Sequence, residues 1–274
     1  MKNIYNYKLE DLENYFLSIG EKKYKAKQLY DWLYIKRVNS FEMMTNIKKD
    51  LINKLKEDFN IDYIEIIKIQ RSETTNKYLF KLLDGNYIEA VLMRHDYGNS
   101  ICVSSQVGCN MGCKFCESGR LKKVRNLETY EIVEQILLVE KDINERIDSV
   151  VIMGIGEPFD NFDNIMNFVY IINNPFGINI GARHITISTS GLVDKIKKFS
   201  ECPLQVNLAV SLHAPNDEIR NNIMPVNKAY SISTLIACLK EYIKKTNRRV
   251  TIEYVMLNNV NDSIDCANQL ASLL

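Results

Sequence analysis

Ile101-Cys102-Val103-Ser104-Ser105-Gln106-Val107-Gly108-Cys109-Asn110-Met111-Gly112-Cys113-Lys114-Phe115-Cys116 joins a short β-branched run to three cysteines in C-x3-C-x2-C spacing. Three thiolates this close can all face one metal centre. Thiolate is a soft ligand, and small intervening residues let the backbone wrap the metal, as in iron–sulfur and zinc loops. A closed structural zinc site takes four ligands, and this run supplies three, so one metal position is left open for chemistry.

Downstream, Ser149-Val150-Val151-Ile152-Met153, His184-Ile185-Thr186-Ile187-Ser188, Val206-Asn207-Leu208-Ala209-Val210-Ser211 and Val250-Thr251-Ile252-Glu253-Tyr254-Val255-Met256 repeat the β-branched pattern of Ile101–Ser104. Helical stretches separate them: 129–141, 161–173, 193–199 and 233–245. Repeated βα units imply a parallel sheet covered by helices, either an open doubly wound sheet or a full or partial barrel. In both, ligands bind at the C-terminal strand ends. The cysteine run follows the first strand, which places it on that edge.

Upstream the pattern changes. Leu9, Leu12, Tyr15, Phe16 and Ile19 recur at helical spacing, Gly20 stops that helix, and a second begins near Ala26, so residues 1–60 read as a small helical domain. Residues 61–95 are β-rich, with Tyr78–Leu83 and Tyr87–Leu92 joined by the hairpin turn Asp84-Gly85-Asn86. Residues 96–274 carry the βα series.

The 274 residues, 46% hydrophobic and 25% charged, suit a globular protein rather than a disordered one. The N-terminus lacks an apolar signal core, and no run approaches the roughly 18 apolar residues of a membrane span. The expectation is a cytoplasmic protein with reduced cysteines, Cys202, Cys238 and Cys266 being inert core residues. A net charge of +1 gives no global argument for nucleic acid. Locally, basic residues outnumber acidic ones in residues 1–60, where a solvated face is an equal alternative. Lys114, Arg120, Lys122, Lys123 and Arg125 surround the cysteine run, where phosphate contact is the expectation.

Gly154-Ile155-Gly156-Glu157-Pro158 follows the second strand of the series. Alone it reads as a structural turn; beside the cysteines it reads as backbone that approaches a ligand, with Glu157 accepting from an amine or ribose. Ser188 and Ser211-Leu212-His213 end the third and fourth strands and add polar groups to the same rim. Cys102 is either a buried strand cysteine or a functional thiol, and Glu89 either an edge residue or a placed base.

C-x3-C-x2-C after the first strand of a βα series resembles the radical S-adenosylmethionine superfamily. More narrowly, Cys102–Cys109, Gly154–Pro158, Ser188-Thr189-Ser190-Gly191 and Ser211–Arg220 resemble the dual-specificity ribosomal and transfer RNA adenine-C2 methyltransferases. The resemblance implies a partial (β/α) barrel of the radical type, with the N-terminal helical domain contacting RNA. It also implies that Cys109, Cys113 and Cys116 hold a 4Fe-4S cluster whose fourth iron takes S-adenosyl-L-methionine. Gly156, Glu157, Ser188, Ser211, Leu212 and His213 then line the S-adenosyl-L-methionine site. In that family a C-terminal methylcysteine carries the methyl group, a second cysteine, matching Cys102, resolves the adduct through a disulfide, and Glu89 matches the proton acceptor. The implied partners are 23S rRNA or tRNA and an electron donor such as flavodoxin or ferredoxin, with the enzyme monomeric and away from membranes.

The same resemblance places the family's last strand, its methyl-carrying cysteine and a cofactor-contacting asparagine beyond Leu274. The expectation is a truncated chain that does not turn over. Competing readings are a zinc-stabilised RNA-binding protein, the related adenine-C8 ribosomal RNA methyltransferase, and a radical enzyme of small molecules.

Overall fold

The computed structural model describes residues 2–274. Its elements begin with β1 (Lys2–Asn3), α1 (Leu9–Ser18), α2 (Tyr24–Tyr30), α3 (Lys49–Asp58), β2 (Phe59–Asn60), β3 (Glu65–Arg71), β4 (Thr75–Lys81), β5 (Tyr87–His95) and β6 (Gly98–Cys102). Then come β7 (Gln106–Val107), β8 (Arg125–Asn126), α4 (Thr129–Ile143), β9 (Ser149–Ile152), α5 (Phe162–Asn173), β10 (Ile185–Thr189) and α6 (Val193–Phe199). The chain continues through β11 (Asn207–Ser211), α7 (Asp217–Ile223), α8 (Ile232–Thr246), β12 (Val250–Glu253) and α9 (Ile264–Leu273). Two compact units interleave along the chain. The first takes residues 2–103, 127–150 and 163–181, and the second 104–126, 151–162 and 182–274.

In the first unit, α1 buries Leu9, Leu12 and Phe16, the spacing of one helical face. The N–H of Lys8 donates to the Asp11 carboxylate at 3.1 Å, satisfying a donor at the helix start. After α1, Gly20 takes a left-handed φ of +80°. Strands β3, β4, β5 and β6 pair antiparallel in sequence order. The hairpin at Asp84-Gly85-Asn86 closes as its sequence predicts: Lys81 pairs with Tyr87, and the Asn86 N–H donates to Asp84 Oδ1 at 3.0 Å. Tyr78 and Phe80 on β4, and Ile88, Ala90 and Leu92 on β5, are buried alternately, the period-2 signature of a strand with one face packed. The strand leading toward the cysteines, β6, runs antiparallel to β5, because only Asp96 and Tyr97 separate the two.

In the second unit β10, β11 and β12 run parallel in adjacent positions. Their buried residues Ile185, Ile187, Leu208 and Val210 explain the near-continuous apolar runs. Helices α6 and α8 provide Ile196, Phe199, Leu235 and Leu239 to the same core. The cysteine run is enclosed in a way its sequence does not announce. β7 and β8 pair antiparallel, Gln106 with Asn126 and Val107 with Arg125, clasping residues 108–124 as a closed loop. Among the described residues no helix is long and apolar enough to cross a membrane.

Candidate functional site

The C-terminal ends of the parallel strands converge on a cavity of about 200 Å³ in the second unit. Cys109, Cys113 and Cys116 line one part of it. Gly156, Glu157, Ser188, Ser211, His213 and Glu253 line another, and Met111, Phe115 and Met224 add apolar surface.

The cysteines come from an irregular loop docked at several points. The Lys114 N–H donates to the Ile223 carbonyl at the end of α7, at 2.9 Å, and the Cys109 N–H to Leu121 at 2.9 Å. Burial and the neighbouring thiols push the Cys113 thiol up to about 12, and burial raises Cys109. No disulfide forms among the described cysteines. Among the described residues no three His, Cys, Asp or Glu side chains are close enough to hold a single ion between them. The soft, three-donor set lining one cavity nevertheless suits a thiolate-held iron–sulfur group with an open position.

Glu157 is buried, and burial raises its carboxyl above the ordinary value. Oε1 accepts the Phe159 N–H at 3.0 Å and Oε2 the Ser190 N–H at 2.7 Å, so both oxygens are held by backbone. Its own N–H donates to Gln106 Oε1 at 2.9 Å. Gly156 is required here: φ is +112°, and a Cβ would stand 2.6 Å from Cβ of Gln106. Gln106, fully buried, extends the contact by donating from Nε2 to Asn126 Oδ1 at 2.7 Å and Asp160 Oδ2 at 2.9 Å. Asp160 in turn pairs with Lys123 at 2.7 Å.

At the strand ends, the hydroxyls of Ser188 and Ser211 both donate to Glu253 Oε2, at 2.8 and 2.9 Å. Sequence reading passed over Glu253; its signal was a carboxylate closing an otherwise β-branched strand. His213 adopts a left-handed φ of +54°, and its Nδ1 accepts the Val255 N–H at 3.0 Å. Burial and the Arg220 charge pull it down to about 4, so at neutral pH the ring is uncharged and Nε2 carries its proton. Phe115 of the cysteine loop meets that ring edge-on, centroids 4.9 Å apart. Leu212 lies between Ser211 and His213 in the chain. It is fully buried and outside the cavity wall, because its N–H pairs with Glu253 O and its carbonyl with Arg220, turning the side chain into the core.

Arg220, also missed, is fully buried. It donates to the carbonyls of Leu212 (3.1 Å), Ser190 (2.7 Å) and Ser211 (3.1 Å), and to Asn227 Oδ1 (2.9 Å). Burial lowers it to about 10, which leaves it cationic. One guanidinium thus ties α7 to the ends of β10 and β11, and through Ser190 it supports the donor that holds Glu157.

The two candidate catalytic residues, Cys102 and Glu89, belong to the first unit. Cys102 ends β6, its Cα partner being Val91 of β5. Glu89 stands on β5 with Oε1 2.7 Å from Lys77 Nζ.

The Radical SAM superfamily model matches residues 103–267, and the model for the ribosomal RNA large subunit methyltransferase N-terminal domain matches 2–61. A probable dual-specificity RNA methyltransferase RlmN of Spiroplasma citri is 55% identical over 100% of this chain and 81% of its own. Its counterpart in Enterococcus faecalis is 54% identical over 100% and 78%. The crystal structure of a radical SAM methyltransferase from Sphaerobacter thermophilus superposes with a TM-score of 0.93 at 39% identity, covering 100% of this chain and 82% of that one. Neither the zinc-protein nor the C8 alternative gains support from these likenesses, and the chain spans about four-fifths of the length of the relatives it matches.

Proposed function

This chain belongs to the radical SAM superfamily, with an N-terminal domain of the ribosomal RNA large subunit methyltransferase type, and we propose that it methylates C2 of adenosine in 23S rRNA and tRNA. The family's cofactors are a 4Fe-4S cluster and S-adenosylmethionine. The carrying observation is one cavity at the parallel-strand ends that presents three thiols beside a buried, doubly held carboxylate.

Cys109, Cys113 and Cys116 take the cluster. Gly156 and Glu157 offer close backbone and a fixed acceptor to the methionyl end of S-adenosylmethionine, while Ser188, Ser211 and the uncharged His213 face the remainder. Bound there, the two cofactors supply one-electron chemistry, which adenine C2 requires because that carbon is not nucleophilic. Glu253 orients the two serine hydroxyls, and the Met and Phe side chains restrict water. Cys102 serves as the resolving thiol and Glu89 as the proton acceptor. RNA engages the helices of residues 1–60, where Lys22, Lys27 and Lys36 are exposed and Lys36 sits over the Trp32 ring at 3.7 Å. The target base leaves its stack to be reached. The enzyme works as a cytoplasmic monomer with a flavodoxin or ferredoxin donor.

The test is anaerobic reconstitution with iron and sulfide, then incubation with rRNA and tRNA fragments, S-adenosylmethionine and reductant, and nucleoside mass spectrometry. Reductive cleavage of S-adenosylmethionine to 5′-deoxyadenosine that disappears in Cys109→Ala, Cys113→Ala and Cys116→Ala supports the cluster and cofactor reading, and 2-methyladenosine is expected where the methyl-carrying cysteine of the resemblance is supplied. A colourless zinc protein, or 8-methyladenosine, refutes it.

A further inference from the structure

The segment following the third cysteine forms a thin wall over all three. Leu121 carbonyl accepts the Cys109 N–H at 2.9 Å, and the Gly119 N–H donates to the Cys116 carbonyl at 3.0 Å. At Gly119 a Cβ would lie 2.6 Å from the Cys113 carbonyl oxygen, so the wall touches that cysteine where only glycine fits. The inner side of residues 119–121 is thus the backbone of the thiol loop, and the outer side is solvent. On that outer side two apolar residues stand open, Leu121 at 53% and Val124 at 65% exposure.

The charge around them is selective. Of the basic residues near the cysteines, Lys123 turns inward to Asp160 at 2.7 Å, and Arg125 Nη1 donates to the Asn126 carbonyl at 3.1 Å. Lys114, Arg120 and Lys122 remain exposed, against Glu117, which lies 3.3 Å from Arg120. An apolar centre with a basic rim matches a protein interface. Residues 117–124 contain no aromatic ring on which a base could stack.

We propose that the outer face of residues 117–124 docks an acidic one-electron carrier protein, and that the electron enters over the Leu121–Cys109 hydrogen bond. This rests on the reading that Cys109, Cys113 and Cys116 hold the cluster. The balance is one electron: the reduced flavin or iron–sulfur centre of the carrier loses it and the cluster gains it, with no bond made or broken and no proton moved. The basic rim raises the encounter rate with an acidic partner, and salt screens it.

The test compares cluster bleaching by stopped-flow absorbance in the reconstituted wild type and in Arg120→Glu/Lys122→Glu, using reduced flavodoxin in one arm and dithionite in the other. The expected result is a flavodoxin rate about tenfold lower in the variant, a wild-type rate that falls with salt, and an unchanged dithionite rate. Iron content and thermal melting of the variant establish that it is folded and loaded. Should the loaded variant take electrons from flavodoxin as fast as wild type, the proposal is overturned. Loss of tRNA affinity with donor kinetics intact overturns it too and assigns the face to RNA. A variant that does not load leaves the wild-type salt series to decide, since a salt-independent flavodoxin rate also overturns it. A wild type that never takes up iron and sulfide defeats the cluster reading itself, before the docking face is at issue.

Discussion

Glu134 on α4, in the first unit, and Glu157, in the second, are both buried carboxylates that burial pushes above their ordinary value. Their hydrogen bonding differs. Glu134 Oε2 accepts the Ile64 N–H at 2.6 Å, whereas Oε1 has no hydrogen-bond partner among the described residues. Glu157 has a backbone donor on each oxygen. Desolvation therefore does not separate the two carboxylates; their donors do. Glu134 is a half-satisfied group that neutralises readily, while Glu157 keeps a fixed orientation in the cavity wall, which suits the cofactor role proposed for it.

The strongest way to erase this contrast is Arg220→Met, which leaves the Ser190, Ser211 and Leu212 carbonyls buried without their donor and loosens the Ser190 N–H on Glu157. Denaturant unfolding should register a loss of roughly 3–5 kcal/mol. Arg220→Lys, which keeps the charge but not the fork, should recover part of it. Gly156→Ala, which meets Gln106 and an unfavourable φ, should cost about 2–3 kcal/mol and displace Glu157. A thermal shift with S-adenosylmethionine present and absent would reveal that displacement as lost ligand stabilisation.

Glu157→Gln is milder. One of the two N–H donors then faces an amide NH2, and the expected cost is about 1–3 kcal/mol, with weaker S-adenosylmethionine binding by calorimetry. An unchanged affinity would mean that the carboxylate is as structural as Glu134.

The smallest effect sharpens the other side. Because the folded-state value of Glu134 lies above the unfolded one, the native state holds the proton where the unfolded chain has released it. Stability from this group is full below the ordinary carboxylate range and declines as pH rises from about 4.5 toward the raised folded value. Glu131 and Asp62 add to the shift, and the Ile64 N–H opposes it. Glu134→Gln should flatten the decline of urea midpoints as pH rises above the ordinary carboxylate range. An unchanged slope would assign the pH dependence to other groups, such as Glu140, which burial also raises.

The parts of the site that were legible from the chain were those written in short spacings. Cys109, Cys113 and Cys116, the Gly156-Glu157 turn, and Ser188, Ser211 and His213 at strand ends all meet in the cavity. Leu212, included through the resemblance, is fully buried. Gln106 and Arg220 lay inside quoted motifs and Glu253 inside a quoted strand, but none was assigned a place in the site, because a lone polar residue in an apolar strand, after a strand or in a helix carries no periodic signal.

Local order is thus set along the chain. Helical and two-residue periods, the Asp84-Gly85-Asn86 turn and the cysteine spacing depend on neighbours within a turn or two, where backbone sterics and side-chain direction act directly. The site's finished geometry depends on pairs far apart in the chain: Ser190 on Glu157, Ser211 on Glu253, Arg220 on Ser190, and Leu121 on Cys109. Those hydrogen bonds exist only once parallel strands and their connecting loops are packed in register. Folding alone brings the donors to the acceptors that desolvation would otherwise leave stranded.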